Sequence, residues 1–222
     1  MTQTEGTAGP PEAPVPQDLR GRVALVLGAG AIGPGWGIGK ALTQRYAAAG
    51  ARVVAADRSC SAAEETAQEV AATGASGPVE AAEVDVLDRD GLAAFVDGVG
   101  KRLGRLDILH CNVGRGQAGP GAETSAEAFA RFAEANLTSV HAAAQAALPG
   151  MRAAGRGVIL ATSTIASLRW PGYPHLAYGA TKAGLNHLIR LISVEDAAFG
   201  IRATTIVAGL IDTPRIATTL AK

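Results

Sequence analysis

Tyr178 and Lys182 stand four residues apart in the run Ala177-Tyr-Gly-Ala-Thr-Lys182, and together they could work as one proton-transfer device. On a helix that spacing brings both side chains to one face, with Cβ atoms roughly 5–6 Å apart. A free phenol titrates near about 10, so at neutral pH it is a poor base until a neighbouring cation stabilises the phenolate. Lys182 supplies that cation. Taken alone, the pair is as readily the solvated face of an ordinary helix, and a second region gives it meaning.

Near the N-terminus an apolar run at 23–27 leads into Gly28-Ala-Gly-Ala-Ile-Gly-Pro-Gly-Trp-Gly-Ile-Gly39 and then into a helical stretch at 40–49. Strand, glycine turn and helix make a phosphate site. Glycines let the backbone approach a pyrophosphate, and the helix N-terminus offers free amides and the positive end of its dipole. Gly28, Gly30 and Gly33 satisfy the Gly-x-Gly-x-x-Gly spacing. The helix is nevertheless expected to begin near Gly37, so 31–35 reads as an insertion and which glycines touch phosphate is left open. Asp57, ending the second apolar run, sits where a carboxylate would accept hydrogen bonds from an adenosine ribose diol.

Short β-branched runs alternate with longer helical stretches along the chain, the rhythm of a parallel sheet covered by helices. Strands are expected at 23–27, 52–56, 79–84, 106–111, 157–161 and 202–207. Ser61-Ala-Ala-Glu64 and Thr124-Ser-Ala-Glu127 read as capping boxes at two helix starts. Gly50, Gly104, Gly155 and Gly200 fall between a helical stretch and the next strand, where a left-handed residue ends a helix without steric cost. The 222 residues suit a single α/β domain over 18–222. Residues 1–17 carry four prolines and no Lys or Arg, which reads as a disordered tail rather than a signal peptide.

Lys and Arg number 20, as do Asp and Glu, so the formal charge is zero. No electrostatic footprint for nucleic acid or an anionic membrane follows, and no apolar run approaches the ~20 residues that span a bilayer. Cys60 and Cys111 read as reduced thiols packing as small apolar groups in a cytoplasmic protein. His110, His141, His175 and His187 show no metal-ligand spacing, so no metal site is expected.

With the strand, glycine turn, Asp57 and Tyr-x-x-x-Lys in place, the sequence from about 19 to 214 closely resembles the short-chain dehydrogenase/reductase family. The resemblance implies a Rossmann-like, doubly wound parallel sheet with helices on both faces. The glycine turn is similar to the family's Thr-Gly-x-x-x-Gly-x-Gly, with Leu27 in place of Thr and the insertion noted above. Asp85, in Val84-Asp-Val86, matches an aspartate that meets the adenine. Cys111-Asn-Val-Gly114 stands where relatives carry Asn-Asn-Ala-Gly, so Cys111 removes one amide from a structural network while Asn112 and Gly114 remain. Asn136 matches a helix asparagine that holds a water for proton relay. The run 160–168 resembles Ile-Ser-Ser-x-x-Gly, whose second hydroxyl orients a substrate carbonyl; that register lands on Thr164, with Ser163 able to do the same chemistry. Val207-Ala-Gly-Leu-Ile-Asp-Thr-Pro214 is similar to the Pro-Gly-x-x-x-Thr-Pro segment over the nicotinamide.

What the resemblance implies is hydride transfer between a nicotinamide cofactor and an alcohol or ketone. Tyr178 would be the acid/base, Lys182 its electrostatic partner, Thr164 or Ser163 the carbonyl donor and Asn136 the link to solvent. Cofactor contacts would come from Gly28, Gly30, Gly37, Ile38, Gly39, Asp57, Arg58, Asp85, Val86, Asn112, Gly114, Tyr178, Lys182, Gly209, Ile211 and Thr213. Asp57 favours NAD by repelling a ribose 2′-phosphate, Trp36 stands where NADP-using relatives often carry a basic residue, and Arg58 keeps NADP open. Arg115, Trp170, Tyr173 and His175 are substrate-side candidates. Relatives continue past the counterpart of Pro214 with a lid and a final strand, so both are expected to be absent here, and a homodimer or homotetramer is expected of a full-length chain. The rival readings are a non-catalytic dinucleotide-binding module or inactive fragment, and a dehydratase or epimerase built on the same tyrosine.

Overall fold

The computed structural model describes residues 18–33, 35–116 and 124–214; the tail expected at 1–17 lies outside them. Six parallel strands form one sheet in the order β3-β2-β1-β4-β5-β6. They are β1 (Val23–Leu27), β2 (Arg52–Asp57), β3 (Val79–Glu83), β4 (Ile108–Cys111), β5 (Gly157–Thr164) and β6 (Ile201–Ala208). Helices α1 (Ile38–Ala48), α2 (Cys60–Ala72), α3 (Arg89–Leu103), α4 (Ala126–Ala133), α5 (Ser139–Ala153) and α6 (Leu176–Glu195) connect them. The expected doubly wound α/β architecture is the one observed.

Every residue of β1 is buried because both faces of the sheet centre are covered, which is why its sequence is an unbroken apolar run rather than an alternation. Ala24, Val26, Val53 and Ala55 pack on one face with Ala47 of α1 and Val70 of α2. Leu25, Leu27, Leu109 and Ile159 pack on the other with Leu92 and Val96 of α3, Val140 and Ala144 of α5, and Leu185 and Ile189 of α6. The order of strands reverses direction between β1 and β4, which opens a crevice beyond their C-terminal ends. No helix among the described residues is long and apolar enough to cross a membrane.

All six expected strands are present, with ends set by their neighbours. β5 and β6 run on together because Thr162, Ser163 and Thr164 pair with Ile206, Val207 and Ala208. β2 extends to Asp57 and β3 stops at Glu83. β4 begins two residues later than expected, at Ile108. Two caps also differ. Ser59, not Ser61, caps α2 by accepting from the Ala62 amide at 3.3 Å, and Ser125, not Thr124, caps α4 by accepting from Ala128 at 3.2 Å. In each case the capping serine is the one with extended backbone just before the first helical residue. Gly50, Gly104, Gly155 and Gly200 all take positive φ, at 89, 73, 64 and 72°, as their positions predict.

Asp107 pins the edge of the sheet opposite the crevice. Its carboxylate accepts from the Val23 amide at 2.9 Å, from Arg22 at 3.2 Å and from Arg105 at 2.6 and 2.5 Å, while its backbone joins β1 to β5 through Val23 and Val158. Burial pushes this carboxyl up, but the Arg105 hydrogen bonds, the Val23 amide, the Arg105 charge and Arg22 outweigh it and hold the group below its ordinary value. A carboxyl depressed in the folded state contributes stability that is present above its unfolded pKa and lost as pH falls through the folded one. Asp107→Asn is therefore expected to cost about 1–3 kcal/mol at pH 7 and to flatten the loss of stability below about pH 4. Urea unfolding over a pH series measures both, and an acid limb as steep as in the unmodified chain would contradict the assignment.

Candidate active site

The glycine turn follows β1 and is shaped by three close approaches. Gly28 has φ 81°, and a Cβ there would stand 3.0 Å from Val113. A Cβ on Gly30 would meet Ala62 at 2.8 Å and the Asp57 carboxylate at 3.0 Å, and one on Gly39 would overlap the Gly28 carbonyl oxygen. Helix α1 begins at Ile38 with Gly37 as its N-cap, no side-chain cap and no acidic residue in its first turn. Its leading amides are thus left for an anion. Within the stretch read as an insertion, Gly33 and Gly35 lie beside Pro214.

Asp57 closes the turn. It is half-buried, and its two oxygens accept from the Gly30 amide at 3.0 Å and the Ser59 amide at 3.2 Å. Arg58 is exposed beside it. Asp85 is exposed and accepts from the Leu87 amide at 2.9 Å, while Val86 packs against the core. These four stand at or just beyond the C-terminal ends of β2 and β3, along the crevice but outside the lining of its cavity.

That cavity, of about 400 Å³, is lined by Gly30, Gly37, Ile38 and Gly39 from the turn, Asn112, Gly114 and Gly116 after β4, and Thr162, Ser163 and Thr164 from β5. Tyr173, His175, Tyr178 and Lys182 line it from the α6 side, and Gly209, Ile211 and Thr213 from the segment after β6. Residues separated by almost two hundred positions thus share one wall. Lys182 is buried, and its ammonium donates to the carbonyls of Thr162 at 2.8 Å and Val113 at 3.2 Å. Tyr178, half-buried, stacks on His175 with ring centroids 4.6 Å apart, and His175 meets Tyr173 at 5.5 Å. Gly116 fits against both His175 and Tyr178, where a Cβ would stand 3.0 and 3.1 Å from their rings.

The two hydroxyl candidates face different partners. Ser163 donates to Ser167 Oγ at 3.3 Å, and Ser167 is also held by Asn186 at 2.8 Å. Thr164 Oγ1 accepts from the Ala166 amide at 3.3 Å, which leaves its proton to give. Asn136 sits in a π-helical turn, Glu134–Thr138. Its carboxamide accepts from the Arg115 amide at 2.7 Å and donates to the Arg115 carbonyl at 2.9 Å and to Thr181 at 3.0 Å. These bonds clamp the 115 backbone onto α6 through Thr181. Arg115 and Trp170 do not line the cavity; Arg115 is exposed and Trp170 is 68% exposed. The feature that sequence reasoning missed is His110, fully buried and hydrogen-bonded to Tyr46 and Thr162. Its only signal is a histidine within the apolar run Ile108-Leu-His-Cys111. Cys111 packs in the core, where burial pushes its thiol up to about 12 against the pull of Lys182.

A family model described as short chain dehydrogenase matches residues 22–222. A (5R,7aS)-5-hydroxy-7a-methyl-1-oxo-2,3,5,6,7,7a-hexahydro-1H-indene-carboxyl-CoA reductase of Mycobacterium tuberculosis is 35% identical over 189 residues, covering 85% of this chain and 70% of that protein. Among solved structures, a Burkholderia xenovorans protein described as a short-chain dehydrogenase/reductase superposes with a TM-score of 0.88 at 38% identity, over 92% of this chain and 78% of that one. A Beutenbergia cavernae protein described as an NAD(P) dependent gluconate 5-dehydrogenase, with NADP at low occupancy, gives 0.83 at 30% identity, over 93% and 79%. A 7α-hydroxysteroid dehydrogenase complexed with NADH and 7-oxo glycochenodeoxycholic acid gives 0.82 at 32% identity, over 90% and 75%.

Asn136→Ala removes the groups that satisfy both sides of the Arg115 peptide. The expected cost is about 1–3 kcal/mol, with faster amide hydrogen exchange confined to 113–116 and the first turns of α6. Thermal unfolding and exchange mass spectrometry read these out; protection unchanged at 113–116 would show that the clamp does not hold that segment.

Proposed function

The chain belongs to the short-chain dehydrogenase family, and we propose that it moves hydride between NAD and a secondary alcohol or ketone, with Tyr178 as the acid/base. The observation that carries this reading is the convergence of Tyr178, Lys182 and Thr164 in the one cavity that the glycine turn also lines. The residues fit a dinucleotide. The side-chain-free approach of Gly39 to Gly28 and the uncapped start of α1 suit a pyrophosphate, and a carboxylate at the end of β2, Asp57, suits a ribose diol. When bound, the nicotinamide supplies the hydride chemistry.

The chain's own residues manage the proton and the carbonyl. In reduction Tyr178 Oη gives its proton to the forming alkoxide, and in oxidation it takes one from the alcohol. Lys182 places a fixed positive charge behind the phenol, held there by two main-chain carbonyls, and this favours the phenolate. Thr164 is assigned as the carbonyl donor because its hydroxyl proton is not committed to Ser167, whereas that of Ser163 is. Tyr173 and His175 form the aromatic flank against which the substrate lies. Asp57 carries the preference for NAD. Its carboxylate is fixed by two amides and would repel a 2′-phosphate, while Arg58 alongside tempers the repulsion.

With a substrate found from a panel of secondary alcohols and ketones, Tyr178→Phe is expected to lower turnover by about 10²–10⁴-fold while NADH titrates almost normally. Lys182→Ala should lose both turnover and cofactor affinity, and Thr164→Val should cost far more activity than Ser163→Ala. Substantial turnover by Tyr178→Phe would sink the acid/base assignment.

The unmodified protein is expected to bind NADH more tightly than NADPH, with Asp57→Ser narrowing or reversing the preference. Fluorescence titration of both cofactors measures it, and equal affinities before mutation would refute the role given to Asp57.

A further inference from the structure

A polar chain runs from α1 through the apolar layer to the floor of the cleft. The Tyr46 hydroxyl stands 2.7 Å from His110 Nδ1, His110 Nε2 stands 3.3 Å from Thr162 Oγ1, Thr162 Oγ1 donates to Asn112 Oδ1 at 2.8 Å, and Asn112 Nδ2 donates to the Gly28 carbonyl at 2.8 Å. The far end fixes the direction of every link. The Gly28 carbonyl only accepts, so Asn112 offers it the amide nitrogen and turns its oxygen to Thr162. That oxygen also only accepts, so it takes the Thr162 proton and leaves Thr162 Oγ1 to accept from His110. His110 must then carry its proton on Nε2, and its Nδ1 receives the Tyr46 hydroxyl. Burial holds the imidazole down to about 4 and the phenol up to about 12, so both groups are neutral near pH 7.

We propose that His110, oriented by Tyr46, is a positioning residue that sets Thr162 and Asn112 at the floor of the dinucleotide cleft. This rests on reading that cleft as the nicotinamide site. Three of its parts meet at the chain. Asn112 lines the cavity. The Gly28 carbonyl is the wall against which Gly39, and with it the start of α1, is packed. Thr162 offers its main-chain carbonyl to Lys182 at 2.8 Å. His110 lies on the face of β4 opposite Cys111, beside Val26 of β1, where Tyr46 of α1 can orient it. Because each member has one arrangement that satisfies its neighbours, turning any one of them leaves a buried donor facing a donor or an acceptor facing an acceptor.

Nitrogen-15 NMR of the histidine-labelled protein, with His110 assigned by its disappearance in His110→Phe, is expected to show a neutral Nε2–H tautomer. Tyr46 does not line the cavity, so Tyr46→Phe removes one hydroxyl remote from the cofactor. It should erase the hydrogen-bond signature at Nδ1 and weaken NADH binding about three- to tenfold, raising KM for NADH more than it lowers kcat. Thr162→Val should weaken binding at least as much, and Thr162→Ser should restore it. A proton on Nδ1 in the unmodified protein, or wild-type NADH affinity in folded Tyr46→Phe and Thr162→Val, would overturn the positioning role while leaving the cofactor reading intact. An unmodified protein that bound neither NADH nor NADPH would overturn the cofactor reading, and this role with it.

Discussion

The cleft depends on satisfying a buried ammonium. Lys182 is nearly inaccessible, and a charge so placed is tolerable only where acceptors converge on it. The C-terminal ends of the central strands provide them. Just past the last β4–β5 pair, Cys111 with Ala161, the carbonyls of Val113 and Thr162 both turn to its Nζ. A single side chain thereby ties α6 to the segment after β4 and to the end of β5, and Tyr178 is carried one turn away on the same helix. The reversal of strand order between β1 and β4 is what leaves room there for a ligand.

How much of this was legible follows from whether a signal is local. The Tyr178–Lys182 spacing and the glycine turn carry their meaning within a few residues, so their placement on α6 and before α1 follows directly from helical geometry and backbone sterics. Strand ends do not, because β5 and β6 extend by pairing with each other, and neither run alone records its partner's length. Caps are intermediate: the right serines lay within two residues of those expected, but extended backbone at Ser59 and Ser125 decided the matter. Asn136 is singled out by its motif, whereas its contact with the Arg115 backbone spans 21 positions and leaves no local trace. Arg115 and Trp170 are candidates by adjacency in sequence alone, and both are exposed outside the cavity lining.

The two edges of the sheet divide the work. At the N-terminal edge Asp107 joins β1, β4 and β5 through charged hydrogen bonds to Arg22 and Arg105 and through its own backbone. Those interactions join the strands there. At the C-terminal edge the polar groups are aimed instead at main-chain atoms bordering a cavity. Substitutions at Asp107 should therefore register mainly in stability, and those around Lys182 mainly in binding and turnover.

Aromatic residues make up only 4% of this chain, and it has three tyrosines. Tyr173 and Tyr178 line the cavity, and Tyr46 begins the hydrogen-bond chain that reaches it through His110. Around α1 the packing relies on Ala, Val and Leu side chains, and Gly39, with no side chain, comes up against the Gly28 carbonyl. Tyrosine is the side chain that places a hydroxyl at the far end of a rigid apolar ring, so it can reach a polar group without opening the surrounding layer to water. Two of the three tyrosines thus stand in the cavity wall, and the third reaches it only through the hydrogen bonds of His110 and Thr162, from the other side of the apolar layer.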